Sequence, residues 1–316
     1  SYNSGPVSGS DYVGGLVGYV VNDPNITSSY NTGTISGTAK YVGGLVGYVN
    51  DDANINFSYN TGTVSGSDFV GGLVGLVDNG NSASIASSYN TGPISGSNYV
   101  GGLLGGSNGN ANITSSYNTG TVSGSNQVGG LVGYLSVDPN ITSSYNTGTI
   151  SGTANNVGGL LGFSQDGDAS INFSYNTGTV SGSNRVGGLV GLVDSGNASI
   201  ASSYNTGPVS GASNVDGLVG AVSTITTTSA YTSVTSDHVA TSTLADMKEA
   251  STYVGFNFTN TWGFGTCADN QGFPMLRVFA EISNYNSVAC GYTPPQSQQP
   301  SPAPVLPPLP EIDQTR

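Results

Sequence analysis

Charge is scarce in this chain. Five Lys and Arg against 18 Asp and Glu make up only 7% of 316 residues and leave a net charge of −13. Phosphate backbones are held by clustered Lys and Arg, so nucleic acid is not an expected partner. No run of about 20 apolar residues occurs, so no membrane span is expected. Histidine occurs once, at His238. This leaves no HExxH zinc site and no Ser-His-Asp set, so no enzyme is expected, and His238 reads as a surface or cap residue. Cysteine occurs twice, at Cys267 and Cys290. What remains for the polar surface is Asn, Ser, Thr and Gly.

What fills the chain instead is a repeat. The stretch SYNTGTVSG at 58–66 is followed by VGGLVG at 70–75, and its tyrosine returns at Tyr2, Tyr30, Tyr59, Tyr89, Tyr117, Tyr145, Tyr175 and Tyr204, every 28 to 30 residues. Self-similarity at this period signals a solenoid or a propeller. Propeller blades need about 40 residues or more, which favours the solenoid. Four residues before each tyrosine from Tyr30 on stands an isoleucine, Ile26 through Ile200. Two before it stands Ser or Phe, as in Ser28 and Phe57. Five after it stands Val or Ile, as in Val64 and Ile94. Alternate strand residues share a face, so Ile, Ser/Phe and Tyr are expected to line the inside. The Asn-Thr-Gly that follows supplies a bend, and the Gly-Gly of VGGLVG lets Val70 and Leu73 both turn inward. Three short strands and three bends per repeat make one coil of an all-β parallel β-solenoid (β-helix). About eight coils of 28–30 residues at about 4.8 Å each give a rod roughly 40 Å long.

A longer period lies on top. DPNITSSYNTGTISGTA stands at 23–39 and 138–154, and VGGLVGLVD at 70–78 and 186–194. Four coils are thus a unit that has been duplicated, as solenoids grow.

Residues 1–229 read as the solenoid. Its last coil degrades, with Val215-Asp216 where Val-Gly is usual. Residues 230–293 read as a small mixed C-terminal cap over the open end of the stack. They hold the only Trp, both Met and both Cys, with Leu244–Ser251 as a short helix. Cys267 and Cys290 either form a disulfide, which points to an oxidising extracellular compartment, or remain free thiols. Residues 294–316 carry eight of the 14 prolines and prefer extended polyproline II.

These features resemble GLUG-motif repeats, named for a Gly-Leu-Val-Gly core that stands here at Gly44–Gly47, Gly72–Gly75, Gly130–Gly133 and Gly188–Gly191, with Gly-Leu-Leu-Gly in repeats 4 and 6. The likeness covers about 220 residues. The segment Met247-Lys248, Tyr253–Phe258, Trp262 and Gly272–Leu276 resembles the one that closes such arrays. The resemblance implies a β-solenoid scaffold in a secreted or cell-surface bacterial protein, the setting of adhesins and some immunoglobulin-A peptidases. It brings no catalytic residues with it.

Several further sites are suggested. Asn-x-Ser/Thr sequons stand at Asn25, Asn56, Asn112, Asn140, Asn172, Asn197 and Asn257. The first six precede a repeat tyrosine by odd offsets, so they point away from the core face and could carry N-linked glycans in a host that attaches them. Aspartates recur after VGGLVG, at Asp51-Asp52, Asp78, Asp166, Asp168 and Asp194. Calcium wants six to eight oxygens, but repeats 4 and 8 lack the acids and Asp-Asn-Gly is ordinary turn chemistry, so no cofactor is expected. Thr-Gly-Thr pairs such as Thr61/Thr63 suggest a flat ice-binding array, broken where Pro6, Pro93 and Pro208 replace the second Thr.

Two functions follow. The first is a structural subunit of an extracellular filament. Residue 1 begins a coil with no capping sequence, and the Pro-rich tail would dock head-to-tail on a neighbouring copy through Val305, Leu306, Leu309 and Ile312. The second is an adhesin or stalk module of a larger surface protein, meeting glycans or matrix components.

Overall fold

The computed structural model describes residues 1–80, 82–264 and 273–279. Cys267, Cys290 and the tail residues Val305, Leu306, Leu309 and Ile312 lie outside the described residues.

The chain is an all-β parallel β-solenoid of about eight coils. Each coil holds five short strands rather than three. One coil runs Lys40–Gly43, Val46–Val49, Ala53–Asn56, Tyr59–Asn60 and Val64–Ser65. Every strand pairs in parallel with its counterpart one coil away, like residue on like: Val42 on Val70, Ile55 on Ile85, Tyr59 on Tyr89 and Val64 on Ile94. Stacking gathers the strands into three sheets along the axis, one of 21 strands and two of eight.

The extra strands arise from two left-handed residues per coil. One lies just before VGG, at Tyr12, Tyr41, Phe69, Tyr99, Gln127, Asn156, Arg185 and Asn214. The other lies two residues before the tyrosine, at Ser28, Phe57, Ser87, Ser115, Ser143, Phe173 and Ser202. A single left-handed residue turns an extended chain through a corner and resets which side faces in. The expected inward row is therefore corrected. Ile55 is buried, but Phe57 stands 65% exposed, Ser58 turns in, Tyr59 turns out and Asn60 is buried. The tyrosines form an outer ladder and the asparagines an inner one.

Two apolar columns fill the interior. The larger stacks Ile55, Ile85, Ile113, Ile141, Ile171 and Ile200 with Leu73, Leu103, Leu131 and their equivalents. The smaller stacks Val42, Val70, Val100 and Val128 with Ile35, Val64, Ile94 and Val122. Val70 and Leu73 both face inward, as expected, but into different columns. The second glycine of VGGLVG is required by close approach between coils. A Cβ on Gly102 would lie 2.1 Å from the Gly130 carbonyl oxygen and 2.6 Å from Asn118 Cγ.

The buried asparagines and serines that flank each repeat tyrosine are satisfied along the axis, as most buried polar groups are. Asn31, Asn60, Asn90, Asn118, Asn146, Asn176 and Asn205 are fully buried. Each of the first six donates from Nδ2 to the Oδ1 of the next coil's asparagine at 2.7–2.8 Å. The same nitrogens donate to the glycine carbonyl two residues on, at 2.7–2.8 Å. Buried serines run beside them. The Ser58 N–H donates to Ser88 Oγ at 3.1 Å, and Ser58 Oγ–H donates to the Asn56 carbonyl at 2.8 Å.

The C-terminal end is closed by a different chemistry. Asp216, in the place of a glycine, accepts the Leu218 and Val219 N–H groups and the Ser236 hydroxyl at Oδ1, and the Asp237 N–H at Oδ2. The degraded repeat is thus a stop signal, and it ties the final coil to the segment beyond. The final ladder strand runs Val219–Thr232. The stretch 244–251 forms two 3-10 turns, Asp246–Lys248 and Ala250–Thr252, instead of one short helix, because Glu249 between them is extended. An antiparallel pair, Trp262–Phe264 with Pro274–Leu276, completes the described cap.

Candidate functional site

The outer tyrosines stack from Tyr2 to Tyr204, with centroids 4.8–5.2 Å apart and ring planes within 10°. The parallel in-register strands impose this spacing. The cap sits on the C-terminal end of the ladder. Met247, Tyr253, Phe256, Trp262, Phe264, Phe273 and Leu276 cluster there with Tyr175 and Tyr204, and Tyr145, Phe173 and Tyr231 pack against them. Tyr175 and Tyr204 are 2% and 0% exposed. The Tyr204 hydroxyl donates to the Pro274 carbonyl, and that of Tyr231 to the Val254 carbonyl at 2.9 Å.

Burial raises the phenol pKa along the ladder. It pushes Tyr89 up to about 12 from 10.0, raises Tyr59, Tyr117 and Tyr145, and holds Tyr175 well above the ordinary value. Above about pH 10 an unfolded chain releases phenolic protons that the folded ladder still holds, so stability falls as pH rises. It is fully present below pH 10 and declines from there through about 12. Absorbance titration at 295 nm should show a late-titrating group of tyrosines that loses its lag in denaturant. A single transition near 10 in the native chain would contradict the packing.

A second aromatic surface lies around the corner before VGG. Tyr12, Tyr41, Phe69 and Tyr99 stack in one column at 4.3–5.6 Å. A neighbouring column holds Tyr19 stacked on Tyr48 at 5.1 Å, and Tyr134 beside Phe163. The two columns meet nearly at right angles: 89° for Tyr12 with Tyr48, 70° for Tyr41 with Tyr48, and 68° for Tyr99 with Tyr134. Tyr12 and Tyr19 are 42% and 48% exposed. Acids border the patch. Tyr48 Oη–H donates to Asp78 Oδ2 at 2.6 Å, and Asp11, Asp68 and Asp78 all lie close enough to raise the Tyr41 pKa beyond what burial and Tyr12 do. The first column is left-handed at every residue, with φ of 52–64°, a conformation that is costly for bulky side chains. In the duplicated unit the same positions are Gln127, Asn156, Arg185 and Asn214. The sequence reading missed this patch. Its signal was the aromatic residue before VGG in the first four repeats only.

The sequons sit outside the core. Asn25, Asn112, Asn197 and Asn257 are exposed, and Asn56, Asn140 and Asn172 partly so. The loop aspartates clamp neighbouring coils. Asp52 Oδ1 accepts the Ser82 N–H at 2.7 Å, and Asp168 Oδ1 accepts the Asn197 N–H at 2.8 Å. Asp51 beside Asp23 raises the Asp23 pKa by repulsion. Among the described residues no three of His, Cys, Asp and Glu come together to hold a metal ion. His238 is partly buried in the cap, with Nδ1 3.3 Å from Asp216 Oδ2.

Comparisons with known proteins support the repeat. Residues 9–36 and 124–151 match the model of the GLUG motif. None of the curated proteins matches the chain. Among solved structures, the chain resembles a Bacteroides ovatus protein that carries the provisional name immunoglobulin A1 protease. The TM-score is 0.55 at 18% identity, over 83% of this chain and 87% of that one. At that identity the likeness is one of fold.

Proposed function

Since two segments of the repeat match the GLUG motif, we propose that the chain is a non-catalytic, rod-like segment of an extracellular surface protein, an adhesin module whose adhesive face is the crossed aromatic patch of Tyr12, Tyr19, Tyr41, Phe69, Tyr99 and Tyr134. The observation that carries this is the placement of bulky rings at four left-handed positions in the first unit, where the second unit has Gln, Asn, Arg and Asn. The left-handed corner is common to both units, so what sets the first apart is its rings, and a continuous apolar patch marks an interaction surface. Crossed rings bordered by Asp11, Asp68 and Asp78 suit glycans, whose sugars offer apolar C–H faces beside hydroxyl donors. The stacked coils supply a stiff support, since each coil is held to its neighbours by three sheets and by the asparagine ladder.

The test is binding of the full chain to an array of defined oligosaccharides. The double variant Tyr41→Asn, Tyr99→Asn carries the residues of the second unit, which accept the left-handed backbone, so it should fold. It should bind at least tenfold more weakly than the parent. Absence of glycan binding by the parent, or equal binding by the variant, overturns the proposal.

A further inference from the structure

The described cap covers one end of the tyrosine ladder, and the internal duplication makes its two ends comparable. Phe173, Tyr175 and Tyr204 recur 115 or 116 residues earlier as Phe57, Tyr59 and Tyr89. In the second unit Phe173 packs against the cap cluster. In the first unit Phe57 stands 65% exposed. The same apolar strip is therefore built twice and roofed once by the described cap.

The roofed copy shows what such a strip holds. Ring edges and hydroxyls face outward, because the ring faces are spent on one another. The hydroxyls of Tyr204 and Tyr231 donate to main-chain carbonyls of the cap, one of them the carbonyl of a proline. The hydroxyls of Tyr30, Tyr59 and Tyr89 have no such partner among the described residues. A row of O–H donors along an apolar strip fits a backbone rich in carbonyl acceptors, poor in N–H donors and extended. Proline-rich chain in polyproline II conformation is that backbone, and it docks on aromatic surfaces for this reason.

We propose that the strip formed by Phe57, Tyr30, Tyr59 and Tyr89 is the docking site of this protein's own proline-rich segment, residues 294–312. Eight of the 14 prolines fall there. A polyproline II turn advances about 9.3 Å per three residues. Two ladder steps, 4.9 Å from Tyr30 to Tyr59 and 4.8 Å from Tyr59 to Tyr89, match that advance, so carbonyls one turn apart can meet alternate hydroxyls. Val305, Leu306, Leu309 and Ile312 supply apolar side chains for the Phe57 ring. The segment follows a cap already seated on the same ladder, and its 19 residues can span about 59 Å when extended, so reach is ample for its own ladder or that of a second copy.

The experiment uses the full chain with the photo-crosslinking residue p-benzoylphenylalanine in place of Phe57, an exposed position that tolerates the change. Mass spectrometry should locate the crosslinks within residues 294–312. The same probe at Thr63, on the outward threonine row, should give none there. Mixing isotope-labelled with unlabelled chain separates docking within one chain from docking between copies, and either result supports the site. Removing only the hydroxyls, with Tyr59→Phe and Tyr89→Phe, should lower the crosslink yield at least threefold while the stack persists. Crosslinks to residues 246–264 of a second copy, crosslinks that avoid 294–312, or an unchanged yield in the hydroxyl-less variant overturn the proposal.

Discussion

Ile113→Asp should unfold the middle of the solenoid. Ile113 is fully buried and pairs with Ile85 on one side and Ile141 on the other, inside the larger apolar column. Removing a buried isoleucine of this kind costs about 2–5 kcal/mol. An unpaired carboxylate in the same place adds a desolvation cost of several kcal/mol more, so the total approaches or exceeds the stability of an ordinary domain, about 5–15 kcal/mol. Each coil leans on its neighbours, so the loss should spread to the adjoining coils. Circular dichroism should show strand signal lost at room temperature, or melting lowered by tens of degrees. Thr114→Asp, at the exposed next residue of the same strand, should change stability by no more than about 0.5 kcal/mol. A wild-type melting curve for Ile113→Asp would mean that the column is not the core.

Asn118→Ala should cost about 3 kcal/mol, far more than a change of one small polar residue usually does. Three buried hydrogen bonds end on this amide. Its Nδ2 donates to the Gly120 carbonyl and to Asn146 Oδ1, and its Oδ1 accepts from Asn90 Nδ2. Alanine removes all three and leaves the groups on Asn90, Asn146 and Gly120 short of a partner where water does not reach. Each buried group left unsatisfied costs about 1–3 kcal/mol. The amides all point the same way, so they polarise one another and the loss in the middle of the row is larger than at its end. Asn3→Ala provides the comparison. Asn3 is partly exposed and its bonds to Gly5 and Asn31 are open to solvent or partly so, so its loss should cost well under half as much. Denaturant unfolding of both variants measures the difference. Equal effects would show that the inner ladder contributes no more than surface hydrogen bonds do.

The sequence by itself determined the solenoid, the coil count and the register. Repeats of 28–30 residues stack like on like, and an isoleucine in each from the second on, four residues before the tyrosine, has nowhere to go but inward, so period and polarity together fix these features. It also marked the C-terminal closure at Asp216, although not the reason: a carboxylate there takes up four donors at the end of the stack. Only the tertiary structure decided which side of the strand the tyrosine and asparagine occupy. The alternation rule that placed Tyr59 inside assumes an unbroken strand. Phe57 and its equivalents at φ 45–51° break it, and one left-handed residue inverts everything after it. The invariant Ser before each tyrosine and Asn after it carried that information, but reading it needs the partner atoms one coil away. The same holds for the aromatic patch. Tyr12, Tyr41, Phe69 and Tyr99 are 28 to 30 residues apart in sequence and become one surface only because stacked coils bring them within about 5 Å of each other.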